Sequence, residues 1–395
     1  MSLPLAGVKI LDFTHLLPGE LCSTMLSDLG CEIVRLESIG SRLASQLPPI
    51  VEGESLYYWS IHRNKKRIAV DLKNPQGLEL ARRLIQSSDA LLENFRPGVM
   101  KRLGLSYTDA QRLNPRIIYC SISGYGQENS YSGRPGHDLN FLAESGILDA
   151  GTSNGDRPTI PGALVSDYTS ALYAALAVVS HLLAVGKNGQ GKHIDISMFE
   201  SALSTQQIMA TSLMYLGLTR DKIAFRYPAE LPHYSVYQCK DGKYLAIAPL
   251  EGQFWKTFCH TTGNDELAEM QVQPQDPELV ARLQLLFRGK TLDEWMKQFA
   301  GTNCCVSPVN SVSEALQSAP AKERNIVSYL EHPKLGAIPQ IANPMLSLEE
   351  RQVAHQSVAT SDSQAVALLN QAGYDQTAID QLCRDGVIQF RHVQL

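Results

Sequence analysis

The sequence predicts an α/β fold, in which a large Rossmann-like domain with a parallel sheet accompanies a smaller α+β domain. Its 395 residues correspond to between two and three domains of about 150 residues each. In the first half, segments rich in Ile, Val and Leu alternate with helical segments and lack the polar alternation of half-exposed strands. A later region changes to a hairpin followed by helices. These observations predict two units of different architecture.

The first half of the chain supplies the predicted parallel sheet. Its first strand, helix and second strand follow one another within about 30 residues, as in a βαβ unit. Asn74 is predicted as a helix N-cap, because Pro75 follows at the first helical position. The predicted elements are strands at 8–13, 32–36, 67–72, 91–95, 116–123 and 193–197, and helices at 21–29, 75–85, 168–186 and 198–216.

The second half contains the predicted smaller domain. Asp241 and Gly242 lie between two apolar segments, which is a strong hairpin pattern. Three helices are predicted after the hairpin, and the prolines after residue 325 indicate an extended connector before a C-terminal helix at 365–383. We therefore predict a large domain formed by residues 1–224 with 326–395, and a small domain formed by residues 225–325.

Composition and charge exclude several classes of protein. Hydrophobic residues make up 44% of the chain and charged residues 19%, which provides a core and excludes a disordered chain. The net charge of −5 argues against a nucleic-acid partner, since such domains are usually strongly basic. No signal-peptide pattern is present, and the apolar stretch 170–186 is shorter than the roughly 20 residues of a membrane span. No membrane partner is therefore expected.

The eight cysteines are scattered along the chain. They form no C-x-x-C pair and no Cys/His cluster at metal-ligand spacing. We therefore expect reduced thiols, no metal site and a cytoplasmic location.

Positive charge is concentrated between residues 61 and 102, which contain ten basic and four acidic side chains. Several of the basic residues follow predicted strands, at the sheet edge where α/β proteins bind ligands. A phosphorylated anionic ligand is one interpretation. The alternative is that basic residues such as Arg82 and Arg83 only solvate helix surfaces. No G-x-G-x-x-G motif follows the first strand, which disfavours a nicotinamide-dependent dehydrogenase.

Three ionisable residues lie at loops or element ends and are candidates for chemistry: His137, Asp167 and Glu251. Each also has a purely structural explanation. Asp167 can be the N-cap of the helix that follows it, Glu251 can be an acid favoured by a helix dipole, and His137 can be an ordinary loop histidine.

The sequence resembles the class III CoA-transferase superfamily, which contains formyl-CoA and carnitine CoA-transferases and α-methylacyl-CoA racemases. The resemblance extends over nearly the whole chain. It is carried by the segments PLAGVKILDFT, RNKKRIAVDLKNPQG, LLENFRPGVMKRLGL, NPRIIYCSISGYGQ, GHDLNFLA, GQGKHIDISMFE and YSVYQCKDGKYLAIAPLE.

The resemblance implies a CoA site, consistent with the local excess of positive charge, because CoA carries a pyrophosphate and a ribose phosphate. It also implies an interlocked homodimer. The positions that match CoA-binding residues of the family are Arg35, Leu72, Lys73, Asn94, Phe95, Arg96 and Arg102.

The resemblance further assigns roles to the three ionisable candidates. Asp167 matches the nucleophile of the transferases and an acid/base group of the racemases. His137 matches a racemase histidine, and Glu251 matches a glutamate at a strand-to-helix turn. Leu17 departs from the transferase pattern, and Gly252 departs from the racemase pattern. The acyl group therefore stays open.

The first hypothesis is an acyl-CoA racemase or epimerase that inverts C2 of a 2-methyl-branched thioester without a metal or organic cofactor. Inversion needs one acid/base group on each side of the carbon, and His137 with Asp167 would supply the pair. Glu251 would orient the imidazole. Backbone N–H groups at the start of the helix after Asp167 would stabilise the enolate-like oxygen.

Two alternatives remain. In a CoA-transferase, Asp167 would attack the acyl-CoA and then carry CoA as an aspartyl thioester. A catalytically idle CoA-binding protein or a nucleotide-binding oxidoreductase is the third possibility. The missing glycine motif argues against the oxidoreductase, and the co-occurrence of three chemically suited residues argues against idleness.

Overall fold

The computed structural model describes residues 2–40, 44–151, 157–217, 231–270, 272–274, 276–354 and 362–390. Its strands are β1 Lys9–Asp12, β2 Glu32–Ser38, β3 Ile50–Val51, β4 Glu54–Ser55, β5 Lys65–Val70, β6 Ala90–Glu93, β7 Ile118–Ser123, β8 Lys192–Ser197, β9 Ser235–Gln238, β10 Tyr244–Ile247, β11 Val306–Pro308, β12 Val327–His332, β13 Gly336–Ile341 and β14 Ile388–Gln389. Its helices are α1 Leu17–Asp28, α2 Leu56–Ile61, α3 Pro75–Gln86, α4 Val99–Arg102, α5 Tyr107–Leu113, α6 Asp138–Glu144, α7 Ile147–Ala150, α8 Val165–Asn188, α9 Met198–Ser204, α10 Gln207–Leu216, α11 Gly252–Thr262, α12 Pro277–Phe287, α13 Leu292–Phe299, α14 Val312–Gln317, α15 Ala319–Glu323, α16 Leu348–Ala354, α17 Asp362–Gln371 and α18 Gln376–Arg384.

By its internal contacts the chain divides into two compact units. The first unit contains Met1–Ser145, Pro161–Thr205 and Ala319–Leu395, and the second contains Gly146–Ile160 and Gln206–Ser318. The predicted boundary between residues 224 and 225 lies outside the described residues. The predicted domain limits therefore stay a prediction.

A seven-stranded sheet is the framework of the first unit. Its strand order is β14-β5-β2-β1-β6-β7-β8, and the six strands from β5 to β8 in that order are parallel. The edge strand β14 is antiparallel to β5, with Ile388 opposite Val70. The mixed α/β fold with a large, mostly parallel sheet is confirmed. The antiparallel edge was missed because a strand of two residues has no detectable periodicity.

Both faces of this sheet are covered. Successive residues of a strand point to opposite faces, so Leu11 and Val34 belong to one buried cluster while Ile10 and Ile33 belong to another. The first cluster includes residues of α3, α17 and α18, and the second includes residues of α1 and α8. This arrangement explains why the strands are apolar on both sides.

Local chemistry fixes the start of α3 as predicted. The side chain of Asn74 accepts a hydrogen bond of 2.9 Å from the backbone N–H of Gln76, and Pro75 is the first helical residue. In contrast, α1 begins at Leu17, four residues before its predicted start. Pro18 occupies its first turn, where a missing N–H costs no helical hydrogen bond.

Helix α8 is longer than predicted, since it spans 24 residues. Within the described residues it is the single helix long and apolar enough to cross a membrane, by length and composition alone. A buried core helix meets the same criterion, and Ala171, Ala174 and Val178 of α8 are fully buried against the sheet. The helix predicted over residues 198–216 is two helices, α9 and α10.

The predicted connector after residue 325 is partly wrong, because it contains the antiparallel pair β12 and β13. Leu330 and Ile338 of this pair pack with Tyr58 and Trp59, and that tertiary contact stabilises a segment whose prolines suggested no regular structure. The predicted C-terminal helix is also two helices, α17 and α18. Gly373 has a φ of 86°, which ends α17 in the left-handed conformation that favours glycine.

The second unit contains a three-stranded antiparallel sheet with the order β11-β10-β9. The predicted hairpin is confirmed, with Tyr244 of β10 opposite Gln238 of β9 and Gly242 at a φ of 79°. The predicted helices are present as α11, α12 and α13. Trp255, Phe258, Phe287 and Trp295 are central to the buried core of this unit.

Six of the eight cysteines are buried, and burial raises the pKa of the Cys239 thiol to about 11. The thiols are therefore protonated at neutral pH where they are buried. The cytoplasmic location stays a prediction.

Candidate active site

A pocket of about 630 Å³ lies within the first unit. Its lining includes the β1–α1 loop and the β6–α4 loop, which we call the first wall, and the segment before α6 with the start of α8, which we call the second wall. Apolar side chains of Leu17, Phe95, Ile122, Phe141 and Met198 line it together with polar ones. Residues predicted from separate motifs therefore meet in one cavity.

A buried ion cluster lies at the carboxyl ends of β1 and β2, close to the first wall. The Arg35 guanidinium contacts Glu20 at 2.5 Å, Glu37 at 3.2 Å and Asp12 at 3.4 Å. Arg35 is 3% exposed, and Asp12 and Glu20 are fully buried. Burial alone would raise the pKa of Asp12, but the charges of Arg35 and Lys65 and hydrogen bonds from Ser23 and Thr14 together outweigh burial and lower that pKa below its ordinary value. The Asp12 carboxylate is therefore held ionised.

Asn94 fixes the β1–α1 loop. Its side-chain oxygen accepts a hydrogen bond of 2.7 Å from the His15 N–H, and its side-chain nitrogen donates to the His15 carbonyl. The next residue, Leu16, has φ 62° and ψ −179°, a conformation that costs a residue with a side chain free energy. Both Leu16 and Asn94 line the pocket. The amide of Asn94 therefore positions backbone, and its two polar atoms are occupied by the protein.

His137 is the N-cap residue of α6 and lines the second wall. Its own N–H donates to the Asn140 side-chain oxygen at 3.0 Å, and its carbonyl accepts from the Asn140 N–H at 2.8 Å. The backbone is thereby fixed while the side chain is exposed in part. The imidazole is therefore able to meet a ligand in the pocket.

Asp167 lines the same wall, in the first turn of α8. The helix begins at Val165, so Asp167 is inside it and the N-cap explanation of this residue is wrong. Burial, and secondly the nearby Asp138 carboxylate, raises the pKa of Asp167 to about 7. No cation within the described part of the chain contributes to this shift. The carboxyl group can therefore take up or release a proton near neutral pH.

Asp138 connects the two candidates, since it follows His137 and contacts the helix of Asp167. Its Oδ1 accepts hydrogen bonds from the backbone N–H of Ser166 at 2.7 Å and of Asp167 at 3.1 Å. The N–H of Tyr168 donates to the Leu164 carbonyl at 3.0 Å. The expectation that N–H groups at this helix start stabilise an enolate is therefore wrong for these three residues, because they already have acceptors.

The predicted CoA-binding residues fall into three groups. Asn94, Phe95 and Arg96 line the pocket, and Arg96 is exposed. Leu72 and Lys73 lie between β5 and α3, and Arg102 ends α4 with its side chain exposed, so these three are outside the pocket lining. Arg35 is enclosed by carboxylates. Their binding roles stay predictions.

The concentration of basic residues between 61 and 102 has a partly structural origin. Arg63 forms a bidentate pair with Asp28, at 2.7 Å and 2.6 Å. Lys65 is fully buried, its ammonium group donates to the Glu20 carbonyl at 2.7 Å, and burial lowers its pKa to about 7. Arg83 pairs with Glu79 on α3. Arg96, Lys101 and Arg102 remain exposed and able to meet phosphate groups.

Glu251 is the N-cap residue of α11 in the second unit, and its side chain is exposed without capping the helix. His137 and Asp167 belong to the first unit. The predicted contact of Glu251 with the imidazole stays a prediction.

His15, Tyr57 and Arg134 are among the pocket residues that were not predicted from the sequence. His15 packs edge-on against Phe95 with 5.1 Å between ring centroids. Tyr57 has a raised pKa, first because of burial and then because of Glu20 and Asp167, so its phenol stays protonated. Arg134 lies 4.8 Å from the Tyr131 ring centroid. A sequence pattern could have pointed to Arg134, which is three residues before His137, but not to the others.

Metal ligands are not a feature of this pocket. Among the described residues there is no group of three or more His, Cys, Asp or Glu side chains arranged to hold a metal ion.

Comparison with known proteins identifies similar chains. The model of CoA-transferase family III matches residues 5–358. Succinyl-CoA:glutarate CoA-transferase of Mus musculus is 31% identical, over 98% of this chain and 90% of the relative. Alpha-methylacyl-CoA racemase of Homo sapiens is 30% identical, over 99% of each. The crystal structure of a CAIB/BAIF family protein from Brucella suis has a TM-score of 0.77 at 25% identity, covering 88% of this chain and 93% of that one.

Proposed function

Because the chain belongs to CoA-transferase family III, we propose that it is an acyl-CoA racemase or epimerase acting at C2 of a 2-methyl-branched thioester. The observation that carries this proposal is the pairing of His137 and Asp167 in one pocket, where Asp167 has a pKa of about 7. A carboxyl group with that pKa is present in both protonation states at neutral pH, as a two-way proton donor and acceptor must be.

The proposed reaction moves one proton off the carbon and another onto it. Neutral His137 removes the C2 proton of one enantiomer, and the electron pair is delocalised onto the thioester oxygen. Protonated Asp167 then donates its proton to the opposite face of C2. The enzyme is left with a charged imidazolium and a carboxylate, which are the groups needed for the reverse direction.

The remaining residues would bind and orient the substrate. Exposed Arg96 at the pocket and Arg102 nearby in the sequence are suited to the phosphate groups of CoA. Phe95 and the apolar lining would hold the acyl chain and exclude water. Glu251 would orient the imidazole of His137. No metal or organic cofactor has a role in this proposal.

A CoA-transferase is the second candidate, favoured by the transferase among the similar chains. Asp167 would attack the thioester carbonyl and release CoA as a thiolate, which leaves a mixed anhydride. The thiolate would then attack the Asp167 carbonyl, form an aspartyl-CoA thioester and release the first acid. An acceptor carboxylate would take CoA through the same two steps in reverse order.

Deuterium incorporation tests the racemase directly. The protein is incubated with a single enantiomer of a 2-methylacyl-CoA in D₂O, and C2 is analysed by mass spectrometry and chiral chromatography. We expect inversion with one deuterium gained at C2. His137→Ala should reduce inversion by about 10²- to 10⁴-fold, the typical contribution of an acid/base group. An exposed histidine elsewhere, His260, provides the control variant His260→Ala.

Hydroxylamine trapping tests the alternative. Hydroxylamine added to protein and acyl-CoA converts an activated carboxyl group to a hydroxamate, which peptide mass spectrometry locates. A hydroxamate on Asp167, together with nearly full activity of His137→Ala, contradicts the racemase and supports the transferase.

A homodimer is proposed as the assembled form. Leu164, Tyr168, Leu172 and Leu176 recur at intervals of four from the N-cap of α8 onward and are each more than 40% exposed, with Leu176 at 64%. Such a stripe is suited to burial against a second copy. Light scattering should give twice the 43.5 kDa chain mass, and Leu176→Glu should reduce it. A monomer at micromolar concentration, or association only with lipid vesicles, contradicts this proposal.

A further inference from the structure

Asp138 is distant in sequence from the helix whose N–H groups it binds. It lies 28 residues before Ser166 and is 6% exposed. Its Oδ1 accepts hydrogen bonds from the N–H of Ser166 and of Asp167. A carboxylate is therefore fixed beside the first turn of α8, at the residue that carries the second acid/base group.

The contact also constrains His137. Asp138 is the first residue of α6, and His137 immediately precedes it. One side chain therefore links the segment that carries His137 to the helix turn that carries Asp167.

The charges around Asp167 point to the same residue. Titratable side chains in this region include the phenols of Tyr57 on α2 and Tyr168 on α8, and the imidazole of His137 on the same pocket wall. Asp138 on α6 is the acid that acts electrostatically on Asp167. Two backbone N–H donors favour its ionised form, although burial works against that form and raises the pKa of Asp138 overall.

We propose that Asp138 is the positioning residue of this pocket: its carboxylate fixes the first turn of α8, and its negative charge favours the protonated form of Asp167. The proposal rests on the acid/base role of Asp167 in the proposed function. Asp138 itself exchanges no proton with the substrate. It keeps Asp167 able to donate one.

Asp138→Asn separates the two parts of this role. Asparagine retains an oxygen that accepts from both N–H groups, but it removes the charge. We expect the variant to fold with unchanged stability, because both hydrogen bonds are retained. The pKa of Asp167 should fall by about one unit or more, the usual effect of removing a nearby like charge. In the direction in which Asp167 donates its proton, the basic limb of the kcat/KM profile for C2 inversion should move to lower pH by the same amount, because Asp167 must be protonated to donate.

The titration of Asp167 is measured without substrate. Protein labelled with ¹³C at the aspartate side-chain carboxyl is titrated by NMR, and the Asp167 resonance is assigned by its loss in Asp167→Asn. Asp276→Asn is the matched control, because Asp276 Oδ1 also accepts two N–H groups, from Glu278 at 3.1 Å and Leu279 at 3.0 Å, at the start of α12 in the second unit. This control should leave the Asp167 titration unchanged.

A wild-type measurement covers the case in which Asp138→Asn does not fold. If the two carboxyls are coupled, the Asp167 resonance should titrate in two steps, with a second inflection where Asp138 ionises. A single-step titration in the wild type, or an unchanged Asp167 pKa in a folded Asp138→Asn, overturns the proposal. Absence of C2 exchange in the wild type contradicts the proposed function instead, and it leaves the titration result to decide the role of Asp138.

Discussion

The pKa values of buried carboxyl groups near the two walls of the pocket are shifted in opposite directions. Near the first wall, Asp12, Glu20 and Glu37 surround Arg35, and the pKa of Asp12 is lowered because Arg35, Lys65 and hydrogen bonds together outweigh the effect of burial. On the second wall, Asp167 is partly buried beside Asp138, no cation among the described residues contributes, and its pKa is raised to about 7. The same side chain is thus a permanent charge in one place and a titrating group in the other.

A buried carboxylate paired with a cation contributes to stability, whereas a carboxyl group without a cation can contribute to chemistry. A paired buried carboxylate stabilises its surroundings only while its partner remains, since an uncompensated buried charge is costly. A carboxylate without a cation costs the folded state free energy at high pH, but it can transfer protons near neutrality. Substitutions on the two walls should therefore change stability and activity in different ways.

The largest effect is expected at Arg35. Arg35→Met leaves three carboxylates without their shared cation, and the free energy of unfolding should fall by about 3–5 kcal/mol, as for other broken buried pairs. Urea unfolding monitored by circular dichroism measures the change. Arg83→Met is the control, because Arg83 and its partner Glu79 are 40% and 50% exposed. Equal stability of the two variants would contradict the structural role of the cluster.

Asn94→Ala should have the next largest effect, because it leaves the N–H and the carbonyl of His15 without their partner. A loss of about 1–3 kcal/mol in unfolding free energy is expected. KM for acyl-CoA should also rise, since the strained Leu16 and the neighbouring Phe95 line the pocket. Asn114→Ala is the control: Asn114 also binds backbone, at the Ser88 carbonyl, outside the pocket. A rise in KM in both variants would contradict the specific role of Asn94.

Arg96→Ala should act on binding and leave stability unchanged, since the side chain is exposed and has no carboxylate partner within the described residues. Loss of one charge-assisted contact to a phosphate corresponds to about 1.5–3 kcal/mol, or at least a tenfold rise in KM, with a smaller change in kcat. Steady-state kinetics measures both constants. Unchanged KM, or a fall in stability like that of Arg35→Met, would place Arg96 in the structural group.

Asp167→Asn should give a small change in stability, with the sign opposite to that of Arg35→Met and Asn94→Ala. The native carboxyl titrates near 7, above its unfolded value of 3.8, so the folded state binds the extra proton between these pH values. Stability therefore falls as pH rises through this window, and asparagine removes that fall. The variant should be inactive and, given the partial exposure of the group, ~1 kcal/mol more stable than the wild type at pH 8.

Asp12→Asn is the matched comparison for that experiment. The pKa of Asp12 is lowered, so its contribution is present above pH 3.8 and is lost as pH falls through the folded value. Asp12→Asn should therefore be less stable than the wild type at pH 8, and the difference should shrink on acidification. Chemical unfolding at pH 8 and at low pH measures both trends. If both variants shift in the same direction at pH 8, the contrast between the walls is wrong.

The parts of the fold that were predicted from sequence depend on local chemistry. Asn74 and Pro75 define a helix start, Asp241 and Gly242 define a hairpin, and the apolar strands define a parallel sheet. The parts that were missed depend on remote contacts. The β12–β13 pair packs on Trp59. The first turn of α8 binds Asp138, which lies 28 residues before Ser166. Neither contact can be predicted from a short stretch of sequence, because the two partners are far apart in the chain.

The site was predictable in its residue types and less so in their roles. His137, Asp167, Phe95 and Arg96 do line one pocket. Arg35 and Arg96 look alike in the sequence, yet Arg35 is enclosed by acids from positions 12 and 20. Which basic residue meets a ligand depends on where the carboxylates of other elements fall, and spacing alone does not give that.

The edge strand β14 has a consequence for synthesis of the chain. Leu368, Leu382 and Ile388, all near the C-terminus, complete a core whose first residues come from β1 and β2. On the ribosome, all of Gln206–Ser318 is synthesised before these three core residues are added. The part of the sheet that α17 and α18 cover stays exposed for that time, which is when apolar surface is open to chaperones and to misassociation. Translation pauses within Gln206–Ser318 would therefore lengthen this exposure and reduce the yield of folded protein.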